Sequence, residues 1–322
     1  MIVLKFGGSS LESAEAIERV ARIVRSRIAR HPAVIVSAHG KATDNLLALA
    51  KDAAEGHHAP SVERFNALES YHSALAAAVV ADHDRKALDS FLNAHFHELF
   101  NAVERLRGSG KLSEQGLAEI TSFGERLSSG IMALALRKAG IETAHLDARV
   151  LVRTNDCYTN ATPVLDESCA RIRRAIFSLD SQTIPVLGGF IGSTPTGVTT
   201  TLGRNSSNLS AVLVGAAVDA EEVEIWTDVD GVYAHDPRLV TDQSPVETLS
   251  FEDAATMAAH GAKVFHHGAV MLAQQENIPI WIKNSRNPQA RGTKVCAQNA
   301  IASKASAKQF FPQAAAAESG VA

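Results

Sequence analysis

The chain has 322 residues, 46% of them hydrophobic, and its 31 basic and 35 acidic side chains leave a net charge of −4 at pH 7. This composition allows one large domain or two ordinary ones with a sizeable core, and it gives no support for a nucleic-acid surface. Three cysteines without a C-x-x-C pair, no apolar run of about 18 residues and no signal-peptide core predict a cytoplasmic protein that binds neither nucleic acid nor membrane.

The first ten residues contain an apolar run, a lysine and a glycine turn. Residues 2–4 lead to Lys5, and Gly7-Gly8-Ser9-Ser10 follows. A helix predicted from Ala14 to Ile28 places the glycines between a buried strand and a helix start, where backbone amides and a lysine charge suit a phosphate group. The pattern is neither the Walker sequence nor G-x-G-x-x-G, so taken alone a plain strand-turn-helix explains it equally well.

Strand and helix predictions alternate along the rest of the chain. Buried apolar runs predict strands at residues 33–37, 143–147, 184–192, 222–226 and 278–283, a threonine-rich hairpin at 194–201 and an edge strand at 293–296. Helical spacing predicts helices at 45–54, 120–139, 209–218, 251–260 and 270–276, and a helical insertion at about 60–118. The alternation predicts an α/β fold, and we expect no chemistry from the Ala-rich tail, 299–322.

Four polar loops each follow a predicted strand. They are Lys5 to Ser10, Ser37 to Asp44, Gly203 to Asn208 and Thr227 to Tyr233. Because ligands of open α/β sheets bind beyond the carboxyl ends of strands, we expect these loops at one edge of the sheet. Lys5, Arg204 and Lys263 would suit the oxygens of a transferring phosphoryl group and of a carboxylate partner. Phosphoryl transfer is the best generic fit, with ordinary turns of a Rossmann-like domain as the alternative.

Eight motifs, in order along residues 1 to about 298, resemble the catalytic domain of aspartate kinase. They are Val3-Leu-Lys-Phe-Gly-Gly-Ser-Ser10, Ser37-Ala38 with Thr43-Asp44, Phe123-Gly-Glu-Arg-Leu-Ser128, Gly189-Phe-Ile-Gly192, Leu202-Gly-Arg204, Ile225-Trp-Thr-Asp-Val-Asp-Gly231 with Asp236-Pro-Arg238, Gly261-Ala-Lys-Val264, and the segment Asn284 to Thr293.

This resemblance implies the amino-acid kinase fold, a three-layer αβα sandwich with a central, mostly parallel sheet. A catalytic domain would span residues 1–298, with the amino-acid site in an N-lobe of about 1–200 and ATP with Mg²⁺ in a C-lobe of about 201–298. The implied reaction converts L-aspartate and ATP to 4-phospho-L-aspartate and ADP, the first step toward lysine, threonine and methionine. A homodimer is compatible with the resemblance.

The resemblance also assigns roles to single positions. Glu125 would take the α-ammonium of the amino acid, and Arg204 would clamp its α-carboxylate. The positions expected near the reacting carboxylate are Ser37, Thr43 and Ser207. The positions expected to be catalytic are Lys5, Gly8, Asn208 and Lys263. The positions expected at the nucleotide are Lys5, Gly7, Gly8, Ser9, Thr227, Asp228, Tyr233, Arg238 and Lys263, and we expect no metal ligand from protein side chains because Mg²⁺ would arrive with ATP.

Three departures from the family pattern are visible. Where the family usually has Gly-Arg-Gly-Gly-Ser-Asp, this chain has Gly203-Arg-Asn-Ser-Ser-Asn208, so an amide replaces the carboxylate expected to position Lys5. The loop after Ser37 carries His39 and Lys41, and His266-His267 replaces the usual His-Pro. Family members commonly continue into paired ACT domains, and we expect no feedback inhibition by that route within this chain.

The sequence leaves three functions open. The first is aspartate kinase. The second is a paralogue that phosphorylates another aspartate-like carboxylate, or a catalytically weak ligand-binding or regulatory homologue, as Asn208 would suggest. The third, an acetylglutamate or glutamate kinase, is less favoured because Phe123-Gly-Glu-Arg-Leu-Ser128 and Thr227-Asp-Val-Asp-Gly231 follow the aspartate kinase pattern.

Overall fold

The computed structural model describes residues 1–233, 244–262 and 264–297. The strands are β1 (Ile2–Phe6), β2 (Pro32–Val36), β3 (Thr143–Leu146), β4 (Ile184–Gly188), β5 (Ile191–Ser193), β6 (Thr199–Thr201), β7 (Val223–Thr227), β8 (Thr248–Ser250), β9 (Ile280–Asn284) and β10 (Thr293–Cys296). The α-helices are α1 (Ala14–Arg27), α2 (Ala42–Ala54), α3 (His58–Val79), α4 (Arg85–Ser109), α5 (Glu114–Lys138), α6 (Ala148–Leu151), α7 (Leu165–Phe177), α8 (Ser207–Ala217), α9 (Phe251–Ala259) and α10 (His267–Gln275).

Eight strands form the central sheet, in the order β3-β4-β2-β1-β7-β9-β10-β8. All neighbouring pairs are parallel except β9 with β10, which is antiparallel. Strands β5 and β6 form a separate antiparallel hairpin, as the threonine-rich segment predicted. The first strand of the chain therefore lies inside the sheet, between β2 and β7, and the expected α/β fold with a mostly parallel sheet is confirmed.

The sheet separates two hydrophobic cores. Ile2, Leu4 and Phe6 of β1 belong to the core that includes α1 to α5, whereas Val3 belongs to the core that includes α8 to α10. Successive side chains of a strand point to opposite faces, so Lys5 lies on the same face as Val3. This alternation delivers Lys5 to the side of the sheet covered by α8, at the carboxyl end of β1.

Several sequence predictions differ from the structure. The single strand predicted at 184–192 forms two strands, β4 in the central sheet and β5 in the hairpin. The helix predicted from residue 120 begins six residues earlier, at Glu114, where the Ser113 hydroxyl accepts a hydrogen bond from the Gly116 amide and caps the first turn. Thr293–Cys296 is a strand as predicted but not an edge strand, because Thr248–Ser250 pairs beyond it. The segment predicted to be a helical insertion contains α3 and α4, which pack into the first core with α2 and α5.

None of the helices in the described ranges is long and apolar enough to cross a membrane.

Candidate active site

The four polar loops line one cleft at the carboxyl ends of β1, β2 and β7, as predicted. Its volume is about 780 Å³. The predicted site residues that line this cleft are Lys5, Gly7, Gly8, Ser9, Ser37, Thr43, Glu125, Arg204, Ser207, Asn208 and Thr227. Below, residues 7–11 are called the phosphate loop and residues 37–44 the substrate loop.

Lys5 is the last residue but one of β1 and lines the cleft. Its neighbour Gly7 donates a backbone hydrogen bond to the carbonyl oxygen of Trp226 (3.1 Å), which fixes the turn against β7. Burial lowers the pKa of Lys5 to about 8, while the nearby Glu125 carboxyl acts in the opposite direction. Within the described part of the chain no carboxylate forms an ion pair with Lys5, so its ammonium group is available to a bound anion.

Gly8 is held at van der Waals distance from the substrate loop. A Cβ added to Gly8 would lie 2.9 Å from the carbonyl oxygen of Ala38 and 3.0 Å from that of Gly40. The Gly40 amide donates a hydrogen bond of 3.1 Å to the Gly8 carbonyl. Any side chain at position 8 would force one of the two loops to shift. The close approach of the two backbones therefore requires glycine at this position.

Glu125 reaches the cleft from α5 and is 3% exposed. Its Oε1 accepts a hydrogen bond from the Ala38 amide (3.1 Å), whereas Oε2 is buried without a hydrogen-bond partner among the described residues. Burial raises the pKa of Glu125 to about 8, against the opposing effects of the Ala38 hydrogen bond and the Lys5 charge. A buried carboxyl oxygen without a partner is suited to a cationic ligand group, which would replace the proton.

Asn208 lies in the first turn of α8, on the opposite side of the cleft, and is 5% exposed. Its side-chain amide donates to the backbone carbonyl of Val264 (3.3 Å), and its Oδ1 is buried without a partner in the described ranges. Arg204, which precedes this helix, is exposed. The helix predicted to begin at Leu209 begins at Ser207, so Ser207 and Asn208 belong to its N-terminal turn rather than to the loop.

Only some of the residues expected to contact the nucleotide lie in the cleft. Thr227 lines the cleft and donates a hydrogen bond of 3.1 Å to the Asp228 carboxylate, whereas Asp228 and Tyr233 do not line the cleft. Arg238 and Lys263 lie outside the described residues. No group of three or more His, Cys, Asp or Glu side chains within the described ranges is placed to hold a metal ion.

Several lining residues carried no predicted role. These are Ala38, Gly40, Lys41, Asp44, Leu47, Leu117, Thr121, Thr159, Phe190, Thr201, Gly203, Asn205, Ile225 and Val264. Phe190 offered a sequence signal, since it follows two glycines. The structure adds that Phe190 adopts a φ of 65°, an unusual conformation for a non-glycine residue. Thr159 offered none, because the segment that contains it carries no motif and reaches the cleft only through the fold.

Comparison with known proteins gives consistent matches. The model of the amino acid kinase family matches residues 1–284. The chain is 32% identical over 298 residues to the lysine-sensitive aspartokinase 3 of Escherichia coli (92% of this chain, 64% of the relative). It is 32% identical over 297 residues to the chloroplastic aspartokinase 1 of Arabidopsis thaliana (90% of this chain, 51% of the relative).

Solved structures agree with these sequence matches. E. coli aspartokinase III in complex with aspartate and ADP superposes with a TM-score of 0.83 and 30% identity, covering 94% of this chain and 65% of that one. The same enzyme with lysine and aspartate gives the same TM-score. The chain thus spans between half and two thirds of these aspartokinases. The family match covers most of the chain and includes the cleft, and the chain belongs to the amino acid kinase family.

Proposed function

We propose that this protein is an aspartate kinase, which uses ATP to phosphorylate the side-chain carboxylate of L-aspartate. The observation that carries the proposal is the buried, unpartnered Oε2 of Glu125 in the same cleft as Lys5 and the phosphate loop. An ammonium-binding carboxylate beside a phosphate site suits an amino acid as acceptor better than a simple carboxylic acid. A structural neighbour binds aspartate and ADP, which supports this choice.

The phosphate loop would hold the phosphates of ATP, which supplies the transferring phosphoryl group. The residues that would contact it are Lys5, Gly7, Gly8 and Ser9. The fit rests on the close approach of Gly8 to the substrate loop and on the unpaired ammonium of Lys5, which retains its proton near pH 7 because its pKa is about 8. Thr227, Asp228 and Tyr233 would contact the nucleotide, together with Arg238 and Lys263, and Mg²⁺ would arrive with ATP.

The amino acid would occupy the other half of the cleft. Glu125 would bind its α-ammonium through Oε2, and Arg204 would pair with its α-carboxylate through two parallel N–H donors. The reacting carboxylate would then lie near Ser37, Thr43 and Ser207, three hydroxyl residues that line the same cleft. The two opposite charges, one held in place and one ordered on binding, would orient the substrate.

The protein's own residues would act by binding, orientation and charge. Lys5 and the amides of the phosphate loop would offset negative charge that grows on the phosphoryl oxygens during transfer, and no covalent enzyme intermediate is needed. The fixed substrate loop would hold the acceptor oxygen in line with the donor site. Asn208 lines the same cleft and presents a buried oxygen that could accept a hydrogen bond but not neutralise a charge.

An assay of ADP release across carboxylates tests the proposal. We expect ADP release with L-aspartate, trapping of the product as a hydroxamate by hydroxylamine, and far lower rates with succinate, which lacks the ammonium group. Intact ATP binding with no turnover on any amino acid would refute the enzyme claim. Equal rates with succinate and aspartate would refute the role given to Glu125.

Asn208 motivates a second candidate, a homologue with a weak or specialised catalytic site. The substitution Asn208→Asp separates the two candidates. A new carboxylate near Lys5 should raise the pKa of the lysine above about 8 and extend activity to higher pH, as the pH–rate profile would record. A large gain in kcat at neutral pH would indicate a weakened kinase site, and a loss would indicate that the amide suits this protein's own substrate. Asn208→Ala serves as the control without a charge.

A further inference from the structure

His39 is a buried histidine in the substrate loop, at a position where the sequence departs from the family pattern. It is 0% exposed, and its Nδ1 lies 2.8 Å from the backbone carbonyl oxygen of Leu11, at the end of the phosphate loop. A carbonyl oxygen only accepts, so Nδ1 carries the proton and donates it. Burial lowers the pKa of His39 to about 3, which keeps the ring neutral.

Two hydrogen bonds join the substrate loop to the phosphate loop in the described structure. One is the backbone bond from Gly40 to Gly8 (3.1 Å), and the other is the side-chain bond from His39 to Leu11. They contact opposite ends of the short 3-10 turn Gly8–Ser10, so together they fix both its position and its orientation. The His39 bond is the one that a substitution can remove without altering the backbone.

The other end of the substrate loop is attached to α5. The Ala38 amide donates to Glu125, and the Ser128 hydroxyl donates to the carbonyl oxygen of Ser37 (2.7 Å). His39 therefore follows directly after the residues that hold the proposed amino-acid site and donates to the loop that forms the proposed phosphate site. No other side chain in the described ranges hydrogen-bonds across these two loops.

We propose that His39 is a positioning residue that sets the separation between the acceptor carboxylate and the phosphoryl donor. This inference rests on the proposed kinase function. His39 itself does not line the cleft and so acts through the phosphate loop. A displacement of about 1 Å between reacting groups can lower a rate by about a hundredfold, so loss of this bond affects transfer more than substrate binding.

His72 provides a matched control. It is also 0% exposed, and its ring centroid lies 5.6 Å from that of His39. Its Nδ1–H, however, donates to Leu68 one turn earlier in its own helix, α3, and not to either loop. Substitution of either histidine disturbs the same packed region, but only substitution of His39 removes the connection to the phosphate loop.

The test compares His39→Phe, His39→Asn and His72→Phe in the full chain. His39→Phe keeps the ring and removes the donor, and we expect kcat to fall about 10- to 100-fold while KM for aspartate changes less than about threefold. His39→Asn places an amide N–H near the position of Nδ1–H, and we expect kcat to return to within about fivefold of the unsubstituted protein. His72→Phe should change kcat by less than about threefold.

Equal losses of kcat in His39→Phe and His72→Phe would overturn the proposal, because generic disruption of packing would then explain both. Equal losses in His39→Phe and His39→Asn would also overturn it. If His39→Phe fails to fold, His39→Leu provides the variant without a donor.

Amide hydrogen exchange of residues 6–12 gives a readout that needs no turnover. We expect faster exchange of the phosphate loop in His39→Phe than in His72→Phe, and equal exchange in the two would refute the positioning role. Absence of aspartate kinase activity in the unsubstituted protein would refute the proposed function instead, so the two failures are distinguishable.

Discussion

The two walls of the cleft differ in how firmly their polar groups are held. On the α5 wall, Glu125 is buried and fixed through Ala38, and Ser128 fixes the adjoining carbonyl of Ser37. On the α8 wall, Arg204 is exposed, and no hydrogen bond or ion pair within the described ranges holds its guanidinium. The proposed ammonium site is therefore formed before the ligand arrives, whereas the proposed carboxylate clamp has to be ordered on binding at a cost in side-chain entropy.

The largest effect is expected at the residue between the two walls. Lys5→Met removes the charge that would stabilise the transferring phosphoryl group, and we expect kcat to fall about 10²- to 10³-fold with the fold intact. Steady-state kinetics and a thermal melt would measure this. Lys51→Met, on the exposed surface of α2, is the control and should leave kcat unchanged. An equal kcat in Lys5→Met and the unsubstituted protein would exclude Lys5 from catalysis.

Substitution on the α5 wall should chiefly raise KM. Glu125→Gln keeps an acceptor for the Ala38 amide but loses the negative charge toward the substrate ammonium, and we expect KM for aspartate to rise about 10- to 100-fold. Glu119→Gln, on the same helix but paired with Arg105 at the surface, is the control. An unchanged KM in Glu125→Gln would remove the ammonium site from this wall.

Substitution on the α8 wall should have a smaller effect, because an exposed side chain gains less from each contact. We expect Arg204→Met to raise KM for aspartate about five- to tenfold, and Arg204→Lys to restore part of the loss because a lysine keeps the charge without the two parallel donors. A KM effect larger than that of Glu125→Gln would reverse the comparison and identify the α8 wall as the principal binding surface.

The smallest effect concerns stability and its dependence on pH. The pKa of Glu125 is raised from 4.5 to about 8, so between these values the folded protein binds more protons than the unfolded chain, and Glu125 reduces stability as pH rises. Glu125→Gln removes this dependence. We therefore expect its melting temperature, relative to the unsubstituted protein, to increase from pH 5 to pH 8. A constant difference across this range would show that Glu125 is ionised in the empty cleft.

Most of the central strands, and several of the residues that line the cleft, could be predicted from the sequence. Most of the long apolar runs gave the strands within one or two residues, because burial on both faces leaves a continuous hydrophobic signal, as in Ala33–Val36. The single strand predicted at 184–192 was wrong, because residues 189 and 190 separate β4 in the central sheet from β5 in the hairpin. The three-residue strand Thr248–Ser250 was missed because it is too short to show a period, and the interior place of Thr293–Cys296 depends on it.

The place of a residue in the cleft was predictable where a motif follows a strand, as for Lys5 and its glycines. It was not predictable where tertiary contacts create the property. The burial of His39 depends on helix α3, and the unpartnered oxygen of Glu125 depends on which of its two oxygens meets the Ala38 amide. Sequence patterns describe neither of these, since both contacts join segments that are far apart in the sequence, His39 with His72 and Ala38 with Glu125.

The interior position of β1 has a consequence for synthesis on the ribosome. Val3 pairs with Val223 of β7. The ribosome must therefore add 220 residues after Val3 before β1 can pair with β7. At typical elongation rates this takes about 10–40 s, during which one side of β1 has unpaired backbone groups. The Gly7 amide likewise lacks its native acceptor until Trp226 emerges. The phosphate loop is therefore complete only after β7, about 220 residues further along, has been synthesised.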